Sequence, residues 1–230
     1  MRLQQLCTPE ISVEDAIRSF MLHQQSSRHS PMTVRRYEYT LAQFQAFLGS
    51  QTLLDEITPS LLREYMLKLE IRVKPNTVLG HMRDIKALLR FCEREELLEK
   101  NPIYKITMPK VDSTILPALT EEEIGCLLNS CSGRDAIQVR NKALFLLMLD
   151  TGLRLSEVAG IKVGDIDQNG LVVVMGKGRK ERIVRLGATA QRSVQKYTRF
   201  RQGQPGEPFL IGVRGPMTAR GIAEMLEKLS

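Results

Sequence analysis

Two cations and one carboxylate within Thr151–Gly178 carry the chemistry that this chain's residue types allow. Arg154 follows Thr151-Gly152, a helix-stop signal, and precedes Ser156-Glu157, a helix-start signal. Lys177 lies between Gly176 and Gly178, after the apolar run Leu171–Met175 and before Ile183-Val184. That pattern predicts a β-hairpin with the lysine in its turn. A fork-shaped guanidinium and a point-like ammonium on neighbouring elements suit a phosphate. On residues alone, the plainer alternatives stand beside this one: Arg154 as an ion-pair partner of Glu157, and Lys177 as a solvated turn residue.

The charge pattern narrows the choice of partner. The 230 residues hold 33 Lys+Arg against 26 Asp+Glu, a formal net charge of +7. Gly176–Arg201 alone contains nine basic residues and one acid, a local charge of +8, so the rest of the chain sums to −1. A positive field concentrated in this way is the footprint of a polyanion binder, nucleic acid above all. Four cysteines (Cys7, Cys92, Cys126, Cys131) form no CxxC pair and no dense disulfide spacing. They are expected to be buried free thiols in a reducing cytoplasm. No window reaches ~18 uninterrupted apolar residues and no signal peptide opens the chain, so a soluble, cytoplasmic protein without a membrane partner is expected. His23, His29 and His81 have no carboxylate cluster around them in sequence; His81 is expected on a helix surface, and no metal site is expected.

The elements that must position these residues fall into two groups. Residues 1–108 are expected to form a helical domain, 109–118 a linker and 119–230 a second domain with a small sheet. Helices are predicted over Ile11–Gln24, Met32–Leu48, Pro59 to about Leu69 behind a Thr58 cap, and Thr77–Glu96 behind an Asn76 cap. The last of these carries Arg83, Lys86, Arg90 and Arg94 at spacings of three, four and four, a basic stripe beside an apolar one. With Arg35 and Arg36, it is a candidate DNA-backbone contact as well as a candidate solvated face. Leu119-Thr120-Glu121-Glu122-Glu123 predicts a capped helix start. An apolar helix over about Arg134–Asp150, a short helix to Ile161, the hairpin Leu171–Leu186, a helix over Ala188–Arg201, a short extended piece at Glu207–Ile211 and a helix over Thr218–Leu229 complete the chain.

In this order the motifs resemble the tyrosine recombinase, or phage integrase, family, near its Xer-type and transposon integrase branch. They are Thr151-Gly-Leu-Arg-Leu-Ser-Glu157, Asp165-Ile-Asp167 and Gly176-Lys-Gly-Arg-Lys-Glu-Arg182 with Ile183-Val-Arg-Leu186. The resemblance implies a mainly α fold with a small β-sheet: a SAM-like helical core-binding domain and a mixed α/β catalytic domain that clamp double-stranded DNA. It implies site-specific recombination through a 3′-phosphotyrosyl intermediate, with no metal and no nucleotide cofactor. Arg154 matches the family's first phosphate-binding arginine, Glu157 the acid that supports it, and Lys177 the hairpin lysine that protonates the departing 5′ oxygen. Arg179, Lys180 and Arg182 are further candidate DNA contacts.

The family pattern also continues beyond what the sequence contains. Members carry a His-x-x-Arg segment, a His or Trp and a nucleophilic Tyr; no His-x-x-Arg occurs here, and all five tyrosines precede the region where the nucleophile belongs. A truncated recombinase is therefore expected, with a catalytically inactive DNA-binding protein that occupies recombination sites as the alternative. A complete family member assembles as a tetramer on DNA; this chain is expected to be a monomer or to associate weakly.

Overall fold

The computed structural model describes residues 11–49, 51–111, 117–176 and 180–229, and divides into two compact units, Met1–Ile115 and Leu116–Ser230. The architecture is mainly helical with two small two-stranded sheets. No helix among the described residues is long and apolar enough to cross a membrane.

The first unit is built from α1 (Val13–Ser26), α2 (Pro31–Leu48), α3 (Pro59–Glu70) and α4 (Pro75–Arg94). Local chemistry sets each start. Ser12, Ser30 and Thr58 accept from the backbone N–H three residues on, supplying partners for otherwise orphaned donors. The fourth helix departs from expectation: it begins at Pro75 with Lys74 in the cap position, and Asn76 lies inside its first turn. The proline ring presets the helical φ and wastes no N–H there, so no side-chain cap is needed. Phe20, Leu41, Phe44, Leu62, Met82, Ile85 and Leu89 close the core.

Two polar residues of α4 point into that core. His81 is buried, contrary to its expected surface position, and its Nδ1 shares a hydrogen bond of 3.1 Å with the Tyr65 hydroxyl. Burial lowers the His81 pKa, with Asp84 pulling the other way, and burial with the nearby Tyr39 pushes the Tyr65 hydroxyl up to about 12. Both groups therefore sit neutral, as a core position without a full counter-charge requires. Asp84 is the second, and it is met by Arg36 and Thr40. Helical periodicity alone assigns neither residue to the core, because tertiary partners satisfy them.

The second unit opens on α5 (Glu121–Ser130), whose capping box is formed in both directions between Thr120 and Glu123. α5 buries no residue completely, which leaves Cys126 exposed; Cys92 and Cys131 are buried, and Cys7 lies outside the described residues. The buried-thiol expectation is thus corrected for Cys126. α6 (Ala136–Thr151) is the central element, with Ala143, Leu144 and Leu147 wholly or almost wholly enclosed. It packs along α8 (Ala188–Arg201), and Asp150 near its end accepts from Gly187 N–H just before α8 starts. Between them lie the short α7 (Leu155–Ala159) and the antiparallel pair β1 (Leu171–Met175) and β2 (Glu181–Arg185), in register from Leu171 opposite Arg185 to Met175 opposite Glu181. A second pair, β3 (Ile211–Gly212) and β4 (Gly215–Pro216), precedes α9 (Ala219–Glu227). The buried guanidinium of Arg140 donates to the Ile211 carbonyl at 2.9 Å and to Asn141 Oδ1, fixing β3 against α6.

Because Leu144 is fully buried at the centre of this unit, Leu144→Ala should cost about 2–5 kcal/mol of stability through lost transfer energy and a cavity. Denaturant unfolding followed by circular dichroism measures it.

Candidate phosphate site on α7 and the β1–β2 hairpin

The loop that presents Arg154 is anchored on both sides. α6 ends at Thr151, and Gly152 takes a left-handed conformation with φ of +62°, where a side chain would be strained. Leu153 then buries itself in the core beneath. Arg154 follows at the cap position of α7 with its side chain 78% exposed.

Glu157 is the hub of the site. Its side chain is nearly buried, yet it is fully supplied with donors. The Arg154 backbone N–H reaches Oε2 at 2.9 Å, closing the first turn of α7. Arg182, from β2, adds a two-pronged contact, Nη1 to Oε1 at 3.0 Å and Nη2 to Oε2 at 2.9 Å. The Arg154 guanidinium makes only a long 3.4 Å contact with Oε1. Geometry therefore decides between the two partners: Arg182 neutralises Glu157, and most of the Arg154 guanidinium faces solvent. The Arg182 fork, followed by the Arg154 N–H, holds the Glu157 carboxyl down at about 2, so it is ionised across the whole physiological range.

The strand pair that carries Arg182 closes with Gly176 N–H donating to Lys180 O at 2.8 Å. A Cβ on Gly176 would lie 3.1 Å from Arg182 Nη1, tighter than ordinary contact, so a glycine here leaves room for the guanidinium to pass. Lys177 and Arg179 lie outside the described residues. Lys180 is exposed beside the hairpin end. Arg182, a candidate DNA contact from its sequence position, has its fork turned onto Glu157 instead; nothing in the order of residues marks a pair 25 positions apart.

In the first unit, Arg83 and Arg90 are exposed along α4 with Lys86 half-exposed between them, and the Arg90 guanidinium lies 6.0 Å from the Tyr104 ring centroid. Arg94, at the end of the stripe, is 3.6 Å from Glu95. Arg35 on α2 is exposed, whereas Arg36 pairs with buried Asp84 at 2.8 Å. Tyr197, the tyrosine of the second unit, is 4% exposed, and its hydroxyl accepts the Ile211 N–H at 3.2 Å. It is a core residue.

Removing one side of the Glu157–Arg182 pair exposes what it holds. Arg182→Ala should loosen β2 from α7, because it removes a charge-assisted two-pronged contact, and speed amide exchange in both elements. The pH course has a definite sign. A carboxyl whose folded pKa is lowered contributes fully above its ordinary value of 4.5, and the contribution disappears as pH falls toward about 2. Exchange rates of β2 amides in wild type should therefore be flat above pH 4.5, after correction for intrinsic chemistry, and rise below it. In Arg182→Ala that excess rise should be largely absent.

Known proteins resemble this one over nearly the whole chain. Residues 12–108 match the phage integrase SAM-like domain and residues 117–230 match the phage integrase family. The tyrosine recombinase XerC of Halalkalibacterium halodurans is 32% identical over 234 residues, covering 95% of this chain and 77% of that protein. XerC of Myxococcus xanthus is 29% identical, covering 94% and 76%. Among solved structures, a lambda integrase dimer bound to a COC′ core site superposes with a TM-score of 0.77 at 15% identity, covering 95% of this chain and 80% of that one. The Tn1549 transposon integrase bound to circular intermediate DNA gives 0.71 at 19%, covering 95% and 77%, and both likenesses concern the fold. The chain belongs to the tyrosine recombinase, or phage integrase, family of site-specific DNA recombinases.

Proposed function

We propose that this chain binds double-stranded DNA through both of its units and presents Arg154 and Lys177 to one backbone phosphate, in site-specific recombination by strand breakage and rejoining. Residues 1–108 serve as the core-binding domain and 119–230 as the phosphate-handling part of the catalytic domain, joined by 109–118. The observation that carries this reading is the division of labour at Glu157. Arg182 satisfies the carboxylate, so the adjacent Arg154 stands preorganised on an anchored loop with its donors outward.

Each residue has a distinct task. Displacement at a phosphodiester gathers negative charge on the non-bridging oxygens, and a guanidinium already in place stabilises it without reorganising at the moment of reaction. Arg154 supplies that group, and Glu157 fixes its backbone. The 5′ oxygen leaves as a poor alkoxide; a proton delivered by Lys177 speeds this step by ~100- to 10,000-fold. Arg35, Arg36, Arg83, Lys86 and Arg90 on the first unit, with Arg179 and Lys180 of the second, contact the DNA backbone and set register. Arg182 acts through Glu157. The reaction uses neither metal nor nucleotide cofactor, and it takes place in the cytoplasm. Without DNA the chain is a monomer or associates weakly; a tetramer forms on DNA in a complete family member.

A second reading, occupation of recombination sites without cutting, is favoured by the state of Tyr197. Its hydroxyl is enclosed and hydrogen-bonded to the backbone, so it is no nucleophile. A suicide DNA substrate that traps covalent intermediates separates the two readings. DNA binding without a covalent adduct is the expected result for these 230 residues, and an adduct would show that one of their tyrosines attacks after all.

Two substitutions test the assignments. Arg154→Ala should leave duplex affinity nearly unchanged while lowering cleavage by roughly 100- to 1,000-fold in a chain supplied with the family's His-x-x-Arg and tyrosine segments, the loss typical of one removed oxyanion donor. Collapse of binding instead would make Arg154 structural. Neutralising Arg83, Lys86 and Arg90 together should weaken binding and flatten the plot of log affinity against log salt by up to ~0.9 per lost phosphate contact. An unchanged slope would return that stripe to a solvated face.

A further inference from the structure

Asp84 is an acidic residue only 2% exposed, and nothing in the Arg154 site accounts for it. It lies on α4, one residue from exposed Arg83, and its carboxylate faces α2. Oδ2 accepts from the Thr40 hydroxyl at 3.1 Å, and Oδ1 meets Arg36 Nη2 at 2.8 Å. The Arg36 side chain is itself 58% exposed, with its guanidinium carbon 5.1 Å from the centroid of the Tyr37 ring. One end of this pair is thus sealed in the core, and the other stands at the surface.

A wish for stability does not explain such a pair. An apolar residue of similar volume would hold α2 against α4 at least as well, because desolvating a carboxylate costs about what the partner returns. Burial raises the Asp84 pKa even with Arg36 and Thr40 opposing it. What the carboxylate supplies, and an apolar residue cannot, is direction. It pins one nitrogen of a long side chain while the Tyr37 ring limits its swing, and the guanidinium's remaining N–H groups stay available on the α2–α4 face. Rotamer freedom that a loose arginine gives up on binding has already been given up here.

We propose that Asp84 is a positioning residue for DNA binding, holding Arg36 as a preformed clamp for one backbone phosphate of the duplex. This rests on the DNA-binding reading above and adds a buried residue to it. The partner chemistry follows from the surroundings: Arg83, Lys86 and Arg90 continue the same positive field along α4, and a lone phosphate would not require such a row.

A double-mutant cycle tests it, using the whole chain and a fluorescently labelled duplex of random sequence over a series of salt concentrations. Arg36→Ala should weaken binding roughly tenfold, the loss of one charge-assisted contact, and reduce the salt slope by about 0.9. Asp84→Asn, which keeps shape and removes the charge, should weaken binding about three- to tenfold in the natural chain and have no effect once Arg36 is alanine. An equal loss in both backgrounds would overturn the positioning role, because a residue that merely supports the fold acts whether or not Arg36 is present. Should Asp84→Asn fold poorly, Arg36→Lys stands in: it keeps the charge but not the planar fork, so full affinity in that variant would also overturn the proposal. Failure of the unsubstituted chain to bind the duplex in a salt-dependent manner would instead remove the DNA-binding reading itself.

Discussion

A nearly buried carboxylate has to find donors, and the second unit is arranged around how Glu157 finds them. Its oxygens gather the backbone N–H of Arg154 and both terminal nitrogens of Arg182. Those two arginines belong to elements that share no local sequence: a one-turn helix after α6 and the second strand of a hairpin. The contact therefore does more than neutralise a charge. It fixes where β2 sits relative to the Arg154 loop. Since the carboxyl is held at about 2, the linkage is intact at any pH at which DNA is handled.

The same contact divides the cations into those that build and those that are left to bind. Arg182 and Arg140 are consumed by protein oxygens. Arg154 stays outward because a better-placed arginine has already satisfied its neighbouring acid. The first unit repeats the division with a different outcome. Arg83 and Arg90 are exposed along α4, whereas Arg36 has one nitrogen tied to Asp84 and its side chain still more than half exposed. A net charge of +7 thus overstates some residues and understates others as binding groups, because what matters is which donors remain after the fold has used its share.

The polar core of the first unit follows from similar bookkeeping of donors. His81 and Tyr65 share one hydrogen bond and both stay neutral, while Asp84 recruits a hydroxyl and a guanidinium. Each would be expensive alone at those depths, and each is satisfied by a residue on another helix. The helices α2, α3 and α4 are in this way tied by directional contacts as well as by the aromatic and aliphatic side chains between them.

Much of this could be taken from the order of residues. The apolar spacing in α2 and α4, the Thr58 and Thr120 caps, Gly152 as a helix stop and the apolar stretches on either side of the Gly176 turn are local signals, and local sterics and hydrogen bonding act within a few residues of their cause. The motif from Thr151 to Glu157, taken together with Asp165–Asp167 and Gly176–Leu186 in that order, likewise pointed to the family, because such motifs are written contiguously. The sequence could not disclose that His81 and Asp84 face the core, that Cys126 does not, or that Arg182 rather than Arg154 is the main partner of Glu157. Those outcomes depend on which side chains from distant segments arrive within hydrogen-bond reach of each other, and a buried polar group reads in sequence like an exposed one until its partner is in place. The sequence by itself determined the elements and the chemistry they carry. Tertiary structure decided which charges that chemistry can still use.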